Sequence, residues 1–251
     1  MTLSKAAAAL AYEEAGTYRK LAENIRNAFL RYYFTEDGEL HTEITQTACA
    51  FLLHAGLYPK GAEEKLAGTL KRLIEENGGH LNTGFAGTPI LCPALSEHGA
   101  NALSYSLLLN EDYPGWLHEV NLGATTIWER WNSLDENGII SGTGMNSLNH
   151  YAYGSIAEWM YRYMCGFQPH MAETVKMTIK PMPEERFSFV KGRFESVFGT
   201  YKSEWSCTAE KGFRYHIEIP FCANAEVIFP NGRSYILQNG AYHFDNDGER
   251  L

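Results

Sequence analysis

The apolar residues of this chain change their repeat once, near Pro169, and no other feature constrains the fold so much. Upstream, Tyr18, Leu21, Ile25, Ala28, Phe29 and Tyr32 recur three or four apart, which winds them into one helical stripe. That spacing predicts a buried stripe. A second helix is expected from about Thr42, with Glu43 in its first turn, carrying Ile44, Cys49, Phe51 and Leu52 and ending before Pro59. A third runs from about Lys60 through Ala62, Leu66, Leu70 and Leu73 until Gly78-Gly79 stops it. Shorter helices are expected over 89–95 and 100–109. A last one holds Ala152, Ile156, Trp159, Met160 and Tyr163 on one face.

Downstream the repeat is two. Val175, Met177 and Ile179 alternate, as do Phe187 and Phe189, then Tyr215, Ile217 and Ile219, then Val227 and Phe229, then Tyr235 and Leu237. Lys211-Gly212, Asn231-Gly232 and Asn239-Gly240 supply turns between them. The expected architecture is therefore an α+β multidomain chain. A helical part spans residues 1–168, and a small antiparallel β-sandwich follows over 169–251. Long connections rich in glycine and aromatics, 79–88, 110–123 and 134–145, join the helices. Ordered loops of that length usually carry function, and helix pairs with such loops suit hairpins set around a cleft.

Bulk properties exclude several classes of partner. A net charge of −9, from 21 basic and 30 acidic residues with no basic run, gives phosphates no footprint, so neither nucleic acid nor an anionic membrane is expected. No stretch has the length of a membrane span. The N-terminus is alanine-rich but has Glu13 and Glu14 close behind it, so no secretory signal is expected. The five cysteines have no CxxC spacing and read as buried small hydrophobes in a reducing, cytoplasmic setting. The nine histidines are scattered, so neither a metal nor a cofactor is expected. HExxH, GxSxG, a P-loop and GxGxxG are all absent, which removes support for zinc proteolysis, serine hydrolysis and nucleotide binding.

What remains is an acid among aromatics. Glu129 lies between Trp128 and Trp131, and an acid between indole walls suits sugar chemistry, because pyranose rings stack on indole and need a few fixed polar partners. Aromatic neighbours strip solvent from a carboxylate and make it a better proton acceptor when ionised. Glu129 could equally pair with an arginine while the tryptophans simply pack. His150, between Asn149 and Tyr151, reads as a sugar contact or as a histidine satisfied within its own turn. Gly142 and Gly144 just upstream suggest a backbone that something approaches closely. Trp116, at the end of Glu111–Trp116, is a stacking platform or a turn anchor.

Six stretches, in order and spacing, resemble the inverting α-L-rhamnosidase family. They are Thr45-Gln-Thr-Ala48, His80–Thr88, Pro93–Gly99, Leu109–Trp116, Gly123–Trp131 and Ser147–Ser155. The resemblance implies the second half of an (α/α)6 barrel followed by a β-sandwich, and an enzyme that removes terminal L-rhamnose with inversion. It implies Glu129 as the general base, His150 as a sugar contact, and Trp116, Trp128, Trp131 and Asn149 as the rest of the pocket. Two departures stand out. Asn132 replaces the acid that the family shows after the second tryptophan, and the R-D-E-x-x-G-W motif of the general acid does not occur. The helices amount to about half of a complete barrel. A companion chain carrying the other half, or self-association, is expected to cover the seam. Two alternatives stay open: a non-catalytic carbohydrate-binding or structural remnant, and a helical-barrel glycosidase or phosphorylase acting on another sugar.

Overall fold

The computed structural model describes residues 2–142, 144–170 and 176–251. Val175, expected to open the first alternating run, lies outside them. The chain forms two compact units, Met1–Tyr153 and Gly154–Leu251.

The first unit is helical: α1 (Thr2–Ala9), α2 (Ala15–Tyr33), α3 (Gln46–Ala55), α4 (Glu63–Glu76), α5 (Thr88–Glu97), α6 (Asn101–Leu108) and α7 (Trp116–Asn121). Helix α1 packs on α2, α3 on both α4 and α5, and α5 on α6. Leu52, Leu53, Leu66, Leu70, Ile74, Leu91 and Leu95 close the core of the α3–α5 group, each worth about 1.5–3 kcal/mol for full burial.

The second helix begins later than its sequence suggests, at Gln46 rather than near Thr42. Thr45 takes an extended conformation, and its hydroxyl accepts the Ala48 N–H at 3.1 Å, which fixes the start. Gly56, at φ 63°, ends the helix in a left-handed cap. Thr45→Ala is expected to cost about 1 kcal/mol. Urea unfolding would show it as a lower midpoint at constant slope, and an unmoved midpoint would refute the cap.

Helix α2 corrects a firmer expectation. Its apolar stripe forms, but no residue of the helix is buried, and Leu21, Ile25 and Tyr32 are 52%, 59% and 75% exposed. Periodicity reports which face wants cover; it does not supply the cover. Helix α7 is a second difference, a short helix inside a segment expected to be a connection.

In the second unit, a turn of α-helix (α8, Ile156–Trp159) widens into a π-helical stretch over Met160–Met164. Ile156, Trp159 and Tyr163 are buried as expected, while Met160 is half-buried. Eight strands follow: β1 (Phe167–Pro169), β2 (Met177–Ile179), β3 (Phe189–Ser196), β4 (Gly199–Thr208), β5 (Gly212–Ile219), β6 (Ala225–Ile228), β7 (Ser234–Leu237) and β8 (Gly240–Phe244). They form two sheets, ordered β1-β2-β6-β7 and β3-β4-β5-β8.

The expected turn pairs sit at the β4–β5, β6–β7 and β7–β8 junctions. The inward residues of both sheets, among them Phe167, Ile179, Trp205, Tyr215, Ile217, Val227 and Phe244, make one core. The sandwich departs from pure antiparallel pairing at β2 and β6, which run parallel. Alternation marks a strand's buried face but says nothing of its partner's direction.

All five cysteines are free. Cys49, Cys92 and Cys165 are buried, and burial pushes their thiols up to about 11, 12 and 11. Cys207 is only partly buried and Cys222 is exposed, against the expectation that all would be core. No described helix is long and apolar enough to cross a membrane.

Candidate functional site

Three irregular segments of the first unit come together around Trp131. The first is the loop 80–88. Gln46, buried at the start of α3, donates to the carbonyls of Leu73 (3.3 Å) and His80 (3.1 Å) and accepts the Asn82 N–H at 2.7 Å. These bonds use the amide in full and set the loop's path. Gly87 sits so close to Thr47 that a Cβ there would collide with it, which explains a glycine without invoking flexibility. The loop then presents the Thr83 carbonyl, which accepts Trp131 Nε1 at 3.0 Å.

The second segment enters through α7. Asn110 Nδ2 ties the preceding turn by donating to the carbonyls of Asp112 (2.8 Å) and Pro114 (3.1 Å). Trp116 then points its Nε1 at the Tyr153 carbonyl, 2.9 Å away. Trp131 lies face to face with the Tyr153 ring at 3.9 Å and 7°, and edge-on to Trp116 at 5.3 Å and 89°. Trp116, Trp128 and Trp131 are only 6%, 2% and 7% exposed. Both indole N–H groups that form bonds do so within the unit, and the rings fill one another's faces. The tryptophans are therefore packing groups in this chain, with little open face for a sugar to stack on.

The third segment carries Glu129. Residues 126–129 lie beside 147–150 through a ladder of bonds. His150 N donates to the Ile127 carbonyl (2.8 Å), Glu129 N to the Ser147 carbonyl (2.9 Å), and the Thr126 hydroxyl to the Leu148 carbonyl. Ser147 N returns a bond to Glu129 Oε2 at 2.8 Å, and Oε1 has no hydrogen-bond partner among the described residues. Glu129 is partly buried and forms no salt bridge with Arg130 or any other described residue. Arg130 instead donates through Nη2 to the carbonyls of Ser141 (3.4 Å) and Gly144 (3.2 Å). Asn146 Nδ2 binds the carbonyls of Ser133 (3.1 Å) and Ser141 (3.2 Å). Two side chains thus hold the loop that delivers Ser147 to the carboxylate.

His150 Nδ1 accepts the Ala152 N–H at 3.3 Å, so Nε2 is the nitrogen able to donate. Its ring stacks on Tyr151 at 5.0 Å and 15°, and Tyr151 is 85% exposed. Asn149 is exposed, and its side chain forms no hydrogen bond among the described residues. Gly142 and Gly144 have no described atom close to where a Cβ would stand, and Gly142 holds a φ of 77°. No group of three metal-ligating side chains occurs among the described residues.

Two residues of this region escaped the reading of the sequence. Tyr151 is an open aromatic face beside His150. Glu119, in α7, is 3% exposed. Its Oε1 is buried with no hydrogen-bond partner among the described residues. Desolvation pushes the carboxyl up to about 8, against a smaller lowering effect of the Trp128 amide. The Tyr153 hydroxyl is pushed up to about 12, first by burial and then by the nearby Glu119, Tyr113 and Glu129. An acid one residue from Val120 and two from Leu117 was the available signal for Glu119.

Comparison with known proteins gives a consistent picture. Residues 1–164 match the bacterial alpha-L-rhamnosidase 6 hairpin glycosidase domain, and residues 175–244 match the bacterial alpha-L-rhamnosidase C-terminal domain. An alpha-L-rhamnosidase of Formosa agariphila is 36% identical over 234 residues, 93% of this chain and 25% of that protein. One from Streptomyces avermitilis is 36% identical over 218 residues, 87% of this chain and 21% of the relative. The structure of a Streptomyces avermitilis alpha-L-rhamnosidase complexed with L-rhamnose superposes with a TM-score of 0.88 at 31% identity, covering 96% of this chain and 25% of that one. A native Aspergillus terreus enzyme gives 0.89 at 30%, covering 96% and 28%. The chain spans about a quarter of the length of these relatives.

Proposed function

The chain belongs to the bacterial α-L-rhamnosidase family, and on that premise we propose that it supplies the water-activating half of an inverting hydrolysis of terminal α-L-rhamnosides. The observation that carries the reading is the clasp on Glu129: one oxygen fixed by the Ser147 amide, the other free to take a proton. In this reading Glu129 removes a proton from a water molecule as that water attacks the anomeric carbon. An acid on the opposite side of the sugar protonates the departing oxygen. The two carboxyl groups of such a pair stand about 6.5–9.5 Å apart, which leaves room for the water.

His150, through Nε2, and Asn149 hold sugar hydroxyls, and Tyr151 offers the apolar face. Trp116, Trp128 and Trp131 back the pocket by packing. Residues 1–168 act as the second half of a six-hairpin barrel and 169–251 as its C-terminal sandwich. The substrate is neutral, which accords with a chain of net charge −9. Five free cysteines favour a reducing, cytoplasmic setting.

Glu119 is not the missing acid. It holds a proton at neutral pH, but at 3% exposure its carboxyl has no reach to a leaving group. The sequence has no R-D-E-x-x-G-W motif, so in this reading the acid lies outside these 251 residues. Acid assistance is worth about 10²–10⁴-fold, so the chain alone should be nearly inert. The open stripe of α2 supports the same conclusion, because soluble monomers rarely leave such a face bare. Light scattering is expected to show association beyond the 28.3 kDa chain, with itself or with the companion. A clean monomer that unfolds cooperatively would refute that.

The test of function is nitrophenol release from a nitrophenyl α-L-rhamnoside by the chain with and without a polypeptide bearing the acid motif. Turnover in the mixture, with β-L-rhamnose as the first product by NMR, is the expected result. The α-anomer as first product would exclude inversion. Binding of L-rhamnose with no turnover in either sample would favour a carbohydrate-binding remnant, the reading that the missing acid also supports.

A further inference from the structure

We infer that Asn146 is a positioning residue for Glu129: its side-chain amide ties the segment of Ser147, whose N–H holds one oxygen of that carboxylate, to the root of the 133–141 hairpin. The inference rests on Glu129 being the base. The hairpin is braced from within. Leu134 and Ile140 form a bridge, and the Asp135 carboxylate accepts the N–H groups of Asn137 and Ile139, each at 2.9 Å. Its root is fastened to the chain just past Glu129. Ser133, fully buried, donates its N–H to the Arg130 carbonyl at 3.0 Å, and its hydroxyl accepts the Arg130 N–H at 3.2 Å. From the returning side, Asn146 spreads its Nδ2 hydrogens over the carbonyls of Ser133 (3.1 Å), Ser141 (3.2 Å) and Gly142 (3.4 Å). Ser147 comes next in the chain. Its N–H reaches Glu129 Oε2 at 2.8 Å, and its carbonyl accepts the Glu129 N–H at 2.9 Å.

None of those three carbonyls needs the amide for its own sake. Ser133 O already accepts the Ser141 N–H at 3.0 Å, Ser141 O accepts Arg130 Nη2 at 3.4 Å, and Gly142 is exposed to solvent. The amide meanwhile leaves its own Oδ1 buried with no partner among the described residues, which is costly. A second cost stands beside it. Met145 takes a φ of 50°, a left-handed conformation that a residue with a Cβ adopts at a penalty. Its side chain is 83% exposed, so packing does not hold it there. An orphaned oxygen and a left-handed methionine thus accompany a tie that the carbonyls do not require. What the tie supplies is a fixed place for the Ser147 N–H, and displacement of a catalytic group by about 1 Å is enough to cost ~10²-fold in rate.

Asn146→Ala and Asn146→Asp separate the possibilities, with amide hydrogen exchange read at Ser147 and at Leu70 in the α4 core. Both remove the donors at pH 7, and aspartate keeps the shape. Each is expected to speed Ser147 exchange by about tenfold or more with Leu70 unchanged. In a mixture with a polypeptide bearing the acid motif, each should lower kcat by up to ~10²-fold with KM within about threefold. An aspartate variant that behaves as wild type would mean that the side chain only fills space, and overturns the inference. So does unchanged Ser147 exchange in the alanine variant, exchange that rises equally at Leu70, an intact kcat, or a loss confined to KM. The reading of the base is judged separately. Glu129→Gln keeps an acceptor for the Ser147 N–H, so full turnover in that variant would remove the base, and the positioning role with it, while Ser147 exchange still reports the tie.

Discussion

Glu129→Gln, assayed with the acid-bearing companion, is expected to lower kcat by about 10²–10⁴-fold while changing the affinity for L-rhamnose by no more than about threefold. The substitution is nearly isosteric. Its amide oxygen can still accept the Ser147 N–H that now binds Oε2 at 2.8 Å, so the ladder between 126–129 and 147–150 should survive. Only the basicity is lost. A neutral amide cannot take the proton of an attacking water, and the barrier rises by about 3–5 kcal/mol. Isothermal titration with L-rhamnose and a nitrophenyl rhamnoside assay on the same preparation would separate the two effects. Turnover within threefold of wild type excludes Glu129 as the base. Loss of binding together with turnover would instead make it a sugar-holding group, since a residue acting only in the transition state leaves ground-state affinity alone.

The helices α3 to α6 were legible because each carries a regular apolar spacing, and the Gly78-Gly79 break also marked the end of α4, while the Thr45 cap and the Gly56 turn that bound α3 were not read. Strands β2, β5, β6 and β7 were legible for the same reason at period two, while no alternating run was read for β1, β4 or β8 and only the first residue of β3 fell in one. What escaped depends on contacts far apart in sequence. The placing of two of the tryptophans is decided by carbonyls: Thr83 for Trp131, 48 residues away, and Tyr153 for Trp116, 37 residues away. No local pattern distinguishes an indole with its N–H satisfied in a core from one that lines a pocket. Helix α7 has six residues between two turns, too few to show a period. Glu129 was singled out because the aromatic residues around it are adjacent in sequence. Glu119 was missed because it is buried from a helix too short to show which of its faces turns inward. The exposed stripe of α2 was read correctly as apolar and wrongly as covered.

Glu119→Gln carries the second large effect, a change in how stability depends on pH. The Glu119 carboxyl is pushed from an ordinary 4.5 up to about 8, chiefly by desolvation. Between those values the folded chain keeps the proton and the unfolded chain has released it. Stability therefore falls as pH rises through this window, by at most about 1.4 kcal/mol per pH unit, and levels off above about 8. The total is on the order of 3–5 kcal/mol, a large part of the margin of an ordinary domain. Glutamine removes the titrating group and mimics the neutral acid in shape. Wild type and variant are thus expected to be similar near pH 4.5, with the variant the more stable by several kcal/mol near pH 8.5. Other groups titrate across the same range, but they do so in both proteins and cancel in the difference. Urea unfolding at pH 4.5, 6, 7 and 8.5 would trace that difference directly. Parallel curves would mean that Glu119 is ionised in the folded chain, with water or a partner reaching the carboxyl oxygen that is unpartnered here. A difference that opens between pH 5 and 8 would identify a carboxyl that folding keeps neutral beside the segment of Glu129.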